Sequence, residues 1–123
     1  MRNLLRKHQI SFKNAFSGLD WAVKTQPNFR IHLILSVLAI VLCIGFSVSY
    51  IEMTVILFTI VLGLSAEMIN TSIEAMTDLI TKEWRQEAKI AKDVSAGMML
   101  LVSFGATLVA WFVFVPYLLR YIE

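Results

Sequence analysis

The sequence predicts an all-α integral membrane protein, with an N-terminal amphipathic helix in the membrane interface followed by three transmembrane helices. Three observations carry that prediction. The 123 residues are 58% hydrophobic and only 16% charged, with a mean hydropathy of +0.71, whereas about a quarter of a soluble domain is charged. The apolar residues are gathered into long blocks. The basic residues fall between those blocks, nearly all on one side. The length suits one domain and is too short for two, so residues 1–123 read as a single membrane-embedded unit with helices at 1–26, 30–50, 52–80 and 91–120.

The first 26 residues are not a span. On a helix of 3.6 residues per turn, Leu5, Phe12, Phe16, Leu19 and Val23 fall in a narrow stripe. Arg6, Lys7, Lys13, Asn14, Asp20 and Lys24 fall opposite, while Ile10 and Trp21 miss the stripe. This is the pattern of a helix lying in the membrane interface, serving either as a topogenic anchor or as a cover over a site. A secretory signal fits poorly, because the basic section is long and no small-residue cleavage motif follows residue 51. "TQPNF" then breaks the helix: Pro27 disfavours helical backbone at Gln26 and is well placed to begin the next helix.

Residues 31–51 hold no Asp, Glu, Lys or Arg and a single His, His32, and residues 94–119 hold none of these five residue types. Each block exceeds the roughly 20 residues a helix needs to cross a bilayer. Between them, residues 53–66 are too few to cross alone, so that span must continue into the acidic stretch "AEMINTSIEAMTDLI". Cys43, the single cysteine, lies mid-span, which excludes an intrachain disulfide and a paired-cysteine metal motif.

Orientation follows from the cations. Arg2, Arg6, Lys7, Lys13, Lys24 and Arg30 precede the first span, and Lys82, Arg85, Lys89 and Lys92 separate the second from the third. Arg120 stands alone on the other side. The positive-inside rule makes the N-terminus and the 79–93 loop cytoplasmic. Trp21 and Trp84 flank the inner surface, and Tyr50, Tyr117 and Tyr121 the outer one.

The acidic stretch poses the chemical question. Glu67, Glu74 and Asp78 are spaced i, i+7, i+11, within about 20 degrees of one line on a helix, and Asn70 sits beside them. A charged carboxyl at mid-bilayer costs roughly 2.5–3.5 kcal/mol on insertion scales, so such groups face a partner or a wet site. Glu67 lies about 16 Å along the helix from Asp78, a depth that a lipid headgroup drawn slightly inward can reach. Two carboxylates so placed suit one metal-binding and one proton-accepting role. The structural alternative, pairing with cations to lock helices, is disfavoured because Lys and Arg are absent from the span cores.

A second polar cluster, "AKIAKDVSAG", opens the third span. Lys92 offers a point charge to a polyphosphate, Asp93 can help position a metal or hydroxyl, and Ser95 and Gly97 leave little bulk beside them. Alone, Lys-Asp is more often a helix-capping charge pair. Together with the acidic face it supplies carboxylates for Mg²⁺, a cation for phosphate and a base, the parts that phosphoryl transfer uses. The chain has neither GxxxxGK[ST] nor GxGxxG, so the nucleotide loops of soluble kinases are excluded.

These motifs resemble the prokaryotic diacylglycerol kinase family of small three-span lipid kinases. The match reads E-x-x-N-[ST]-x-I-E-x-x-x-D, with A-K-D placing Lys92 fourteen residues after Asp78. "NFRIHL" at the start of the first span resembles the Gram-positive branch, whose members mostly phosphorylate undecaprenol. The resemblance implies a multi-pass protein of the bacterial plasma membrane, a homotrimer with composite active sites at subunit boundaries. It also implies transfer of the γ-phosphate of MgATP to a membrane lipid alcohol, for lipid-carrier recycling in cell-envelope synthesis, with no nucleic-acid partner. By position, Glu67 matches the proposed catalytic base, Asn70 an active-site polar residue and Glu74 a carboxylate binding the nucleotide's Mg²⁺. Lys92 and Asp93 match nucleotide contacts, and Glu83 a weaker one. Gln26 stands where the family usually has Glu as a second metal ligand; its amide offers an oxygen without the charge, which implies weaker metal binding or slower turnover.

Within this reading diacylglycerol is the alternative substrate. Two further hypotheses belong to other classes. A cation-conducting oligomer would need Glu67 and Glu74 but not Lys92 or Asp93, and a scaffold would tolerate Glu67→Gln. Ser103, Ala106, Thr107 and Ala110 form small-xxx-small pairs suited to close helix packing, within one subunit or between subunits.

Overall fold

The computed structural model describes residues 2–120 and 122, with side chains from residue 8 onward. Leu5 of the apolar stripe, the cations Arg2, Arg6 and Lys7, and Tyr121 therefore lie outside the described side chains. Among the described residues the chain forms four helices and no strand: α1 (Arg2–Thr25), α2 (Pro27–Gly45), α3 (Tyr50–Ile80) and α4 (Gln86–Arg120). The last three are long and apolar enough to cross a bilayer.

Each boundary has a local cause. Gln26 is extended (φ −102°, ψ 106°) and Pro27 occupies the first turn of α2, as the steric clash between a proline ring and its predecessor requires. The first span is shorter at its far end than expected, closing at Gly45 rather than 50. There the Ser47 amide donates to the Ile44 carbonyl and the Val48 amide to the Cys43 carbonyl, each at 3.1 Å. This is a Schellman closure, and it puts Ser47 at φ 50°, a left-handed conformation normally left to glycine. Ser49 then caps α3: its hydroxyl accepts from the Glu52 amide, and the Glu52 carboxylate accepts from the Ser49 amide at 2.8 Å.

The third span begins at Gln86 rather than 91. The stretch "QEAKI", inside the expected 79–93 loop, is helical because Gln, Glu, Ala and Lys are strong helix formers, and Glu87 suits the positive end of a helix dipole. The connection shrinks to Thr81–Arg85, where the Glu83 amide donates to the Thr81 hydroxyl at 3.1 Å.

Helices α3 and α4 run antiparallel and are tied at both ends. Lys92 Nζ meets Asp78 Oδ1 at 2.5 Å at the end carrying the 81–85 loop, and Tyr117 OH donates to Glu52 Oε2 at 2.7 Å at the turn end. Glu52 to Asp78 is 26 residues and Lys92 to Tyr117 is 25, so one register holds over about 38 Å. The buried apolar cluster lies toward the turn end, where Cys43, Ile56, Val113 and Phe114 meet. Phe46 stacks on Tyr117 with ring centroids 5.9 Å apart, and the Arg120 guanidinium lies 5.7 Å over the same ring. Tyr117 is therefore a cross-helix tie.

Helix α1 packs against α2. Its Ala22 is buried, while Phe12 and Phe16 of the apolar stripe remain 68% exposed.

Candidate active site

Glu67, Asn70, Glu74 and Asp78 follow one side of α3, but their surroundings change steeply along it. Glu67 is 3% exposed and Asn70 7%, whereas Glu74 and Asp78 are exposed. Beyond Asn70, Thr77 is the one buried residue of α3, because the bundle opens toward the loop end. The line of acids thus runs from a packed interior to an open mouth.

Asn70 links the two zones. Its Nδ2 donates to Glu74 Oε1 at 3.0 Å, an arrangement that fixes the amide's orientation, since an ionised carboxylate only accepts. Asn70 Oδ1 is left buried without a partner. An unsatisfied buried acceptor costs about 1–3 kcal/mol, so this oxygen marks a place for a donor or a cation. Glu67 makes no hydrogen bond to another described residue, and the ionisable groups acting on it electrostatically are His32 and Glu74.

Across the mouth, Lys92 is held by Asp78 and Asp93 by Lys89. The side chains of Lys92 and Asp78 are 40% and 55% exposed, and pairs of that kind contribute about 0–1 kcal/mol. Lys92 can therefore exchange Asp78 for a phosphate at little cost. Ser95, 3% exposed, donates to the Lys92 carbonyl at 2.9 Å and steadies that turn. A Cβ added at Gly97 would meet nothing within 4 Å, so the space beside it is open.

Two of the sequence-derived residues stand apart from this group. Gln26 Nε2 reaches the Thr25 hydroxyl at 3.3 Å, and Glu83 pairs with Arg85 at 3.3 Å; neither bonds to the acidic line of α3 among the described residues. Nor do three His, Cys, Asp or Glu side chains gather anywhere among those residues. A Mg²⁺ delivered with a nucleotide needs only one or two carboxylates besides phosphate oxygens. Glu74, exposed and oriented by Asn70, has the chemistry for that position.

Two cavities adjoin the site. One of about 500 Å³ lies between the end of α3 and the start of α4, lined by Thr77, Thr81, Arg85 and Glu87 among others. The other, of about 400 Å³, is an apolar groove between α2, α3 and α4, running from His32, Gly63 and Ser103 toward Leu42 and Phe114. Ser103, Ala106, Thr107 and Ala110 all line it, so the small-residue stripe of α4 faces the chain's own groove. His32 is the residue that sequence reasoning underused. An ionisable group inside an otherwise apolar span is itself a functional signal, but it had no partner visible in the linear pattern.

Comparison with known proteins then settles the family. The sequence pattern described as Prokaryotic diacylglycerol kinase matches residues 13–114. The chain belongs to that family. Every candidate residue, from Gln26 to Asp93, falls inside the match. A diacylglycerol kinase of Synechocystis sp. is 35% identical over 111 residues, which cover 89% of this chain. The chain spans only 63% of that relative's length. An undecaprenol kinase of Bacillus subtilis is 34% identical over 117 residues, covering 94% of each chain. Both relatives named here are kinases.

Proposed function

We propose that the chain is an ATP-dependent lipid kinase of the bacterial plasma membrane, transferring the γ-phosphoryl group of MgATP to the hydroxyl of undecaprenol. The observation that carries this reading is the gradient along α3. A buried carboxyl, Glu67, lies two turns inward from an exposed, oriented carboxylate, Glu74, with Lys92 at the same mouth. A deep base and a shallow phosphate-handling set are what joining a membrane alcohol to a water-soluble nucleotide requires.

The lipid hydroxyl oxygen attacks the γ-phosphorus while Glu67 takes its proton. The bond from that phosphorus to the bridging oxygen of ADP breaks, and ADP leaves. General-base assistance of this kind is worth about 10²–10⁴-fold. Lys92 releases Asp78 to neutralise phosphate charge, and Asp93 and Glu83 contact the nucleotide. Glu74 would hold Mg²⁺, with Gln26 as a weaker neutral ligand and Asn70 orienting Glu74; the ion, when bound, offsets negative charge on the phosphate oxygens. The N-terminus and the 81–85 loop are cytoplasmic, α1 lies in the interface on its exposed Phe12 and Phe16 side, and three copies assemble with sites at their boundaries.

Undecaprenol is preferred because the B. subtilis undecaprenol kinase is covered over nearly its whole length, whereas the Synechocystis diacylglycerol kinase extends well beyond the match. Diacylglycerol is the second reading, supported by the slightly higher identity to that enzyme. Transfer from labelled ATP to undecaprenol and to diacylglycerol, run in parallel on the purified protein, tests both. Labelled undecaprenyl phosphate in excess supports the first, and no labelled lipid from any alcohol overturns the kinase reading.

A further inference from the structure

On α3 the apolar groove ends at Gly63 and Leu64, about one helical turn short of Glu67, and its polar groups are unevenly distributed. Counting from the α2–α3 turn, His32 lies 14 residues before Phe46 and Gly63 lies 14 after Ser49, so the two are level. Glu67 is about one turn further toward the loop end. On α4, Ser103 is 11 residues after Lys92 and Glu67 is 11 before Asp78, which sets Ser103 level with Glu67. Three hydroxyls in the groove are spent on their own helices. Ser36 donates to the His32 carbonyl, Thr59 to the Val55 carbonyl and Thr107 to the Ser103 carbonyl. The side chains of His32 and Ser103 make no hydrogen bond to another described residue. Toward the turn end the lining polar groups are thus all satisfied, and the two side chains without a hydrogen bond, His32 and Ser103, sit at the end of the groove nearest Glu67.

We infer that His32 is a substrate-binding residue: its imidazole donates a hydrogen bond to the oxygen of a primary hydroxyl at the end of a membrane hydrocarbon chain. That bond turns the hydroxyl proton toward Glu67. The inference rests on the lipid-kinase reading and names how the alcohol is held. Three features argue for a hydrocarbon alcohol as occupant. The groove's volume lies within the range of small-molecule sites, its walls beyond the His32 end offer no polar side chain without a hydrogen bond, and a partly buried imidazole that makes no hydrogen bond gains most from a ligand that supplies one. A hydroxyl needs both a donor and an acceptor to be fully satisfied, and His32 and Glu67 supply one each.

The test uses the full chain in detergent, with tritiated geranylgeraniol and 1,2-dioctanoylglycerol as probes. His32→Phe keeps a ring and loses the donor; His32→Gln keeps a donor. The Kd and KM for alcohol should rise about tenfold in His32→Phe, the equivalent of about 1.4 kcal/mol, and stay near wild type in His32→Gln. The KM for MgATP should not move in either. A loss with either alcohol supports the assignment, and the alcohol showing it identifies the hydrocarbon that the groove accepts. Unchanged alcohol affinity in His32→Phe overturns the assignment, as does a parallel rise in KM for MgATP. A changed oligomeric state with unchanged alcohol affinity also overturns it, by making a second copy the occupant. If wild-type protein binds alcohol through His32 yet transfers no phosphate, the kinase reading fails and His32 stands. If phosphate is transferred and His32→Phe binds normally, the reverse holds.

Discussion

Replacing Asn70 by Leu should raise stability and lower apparent Mg²⁺ affinity, two effects of opposite sign from one side chain. Leu closely matches the shape of Asn and carries no polar atom. In the wild-type chain Asn70 Oδ1 is buried without a donor, a condition costing about 1–3 kcal/mol. Its removal should therefore stabilise the apo protein by about 1 kcal/mol, after allowing for the lost bond from Nδ2 to Glu74. That bond, 3.0 Å long, is what holds an otherwise exposed carboxylate in one orientation. Loss of an outer hydrogen bond to a metal-binding group typically costs 10–100-fold in metal affinity or activity. Thermal unfolding in detergent without nucleotide reads the first effect. A Mg²⁺ titration of phosphoryl transfer at fixed ATP reads the second and should show a midpoint raised by at least tenfold. Superimposable titrations would refute the orienting role of Asn70. A fall in melting temperature with activity lost at every Mg²⁺ concentration would make Asn70 a packing residue instead.

Glu67→Gln should abolish turnover at all Mg²⁺ concentrations because the base is gone, whereas Glu74→Gln should recover in part with high Mg²⁺ or with Mn²⁺; rescue of the first and not the second would reverse the two roles. Gln26→Glu should raise activity most when Mg²⁺ is scarce, since it adds a charged hard ligand; coincident titration curves would remove residue 26 from the metal site. Ser47→Gly should stabilise the fold, because relief of the left-handed backbone, about 1–2 kcal/mol, exceeds the entropy cost of glycine, about 0.5–1 kcal/mol. A lower melting temperature in that variant would show that the Ser47 hydroxyl matters more than its φ of 50°.

What could be read from the sequence divides along a physical line. Properties of a single helix were legible: two apolar blocks long enough to span and a third that must run on into the acidic stretch, the break at Pro27, and the common side shared by Glu67, Asn70, Glu74 and Asp78. Each depends only on period and local sterics. What lies across a gap between helices was not legible, because an antiparallel register is decided by turn chemistry and cross-helix ties that no periodicity encodes. Lys92 and Asp93 looked like one cluster, yet they are bound in opposite directions, Lys92 to Asp78 on α3 and Asp93 to Lys89 on its own helix. Glu67, Glu74 and Asp78 looked equivalent by angle, yet packing against neighbours buries the first and leaves the other two in the mouth. The same register makes His32 informative. Fixed by the Schellman turn at Ser47 and the cap at Ser49, α2 returns to the level of Gly63. A histidine that had no partner in the linear pattern thereby arrives about one helical turn from the level of Glu67, the carboxyl on which the proposed chemistry depends, and acts on it electrostatically.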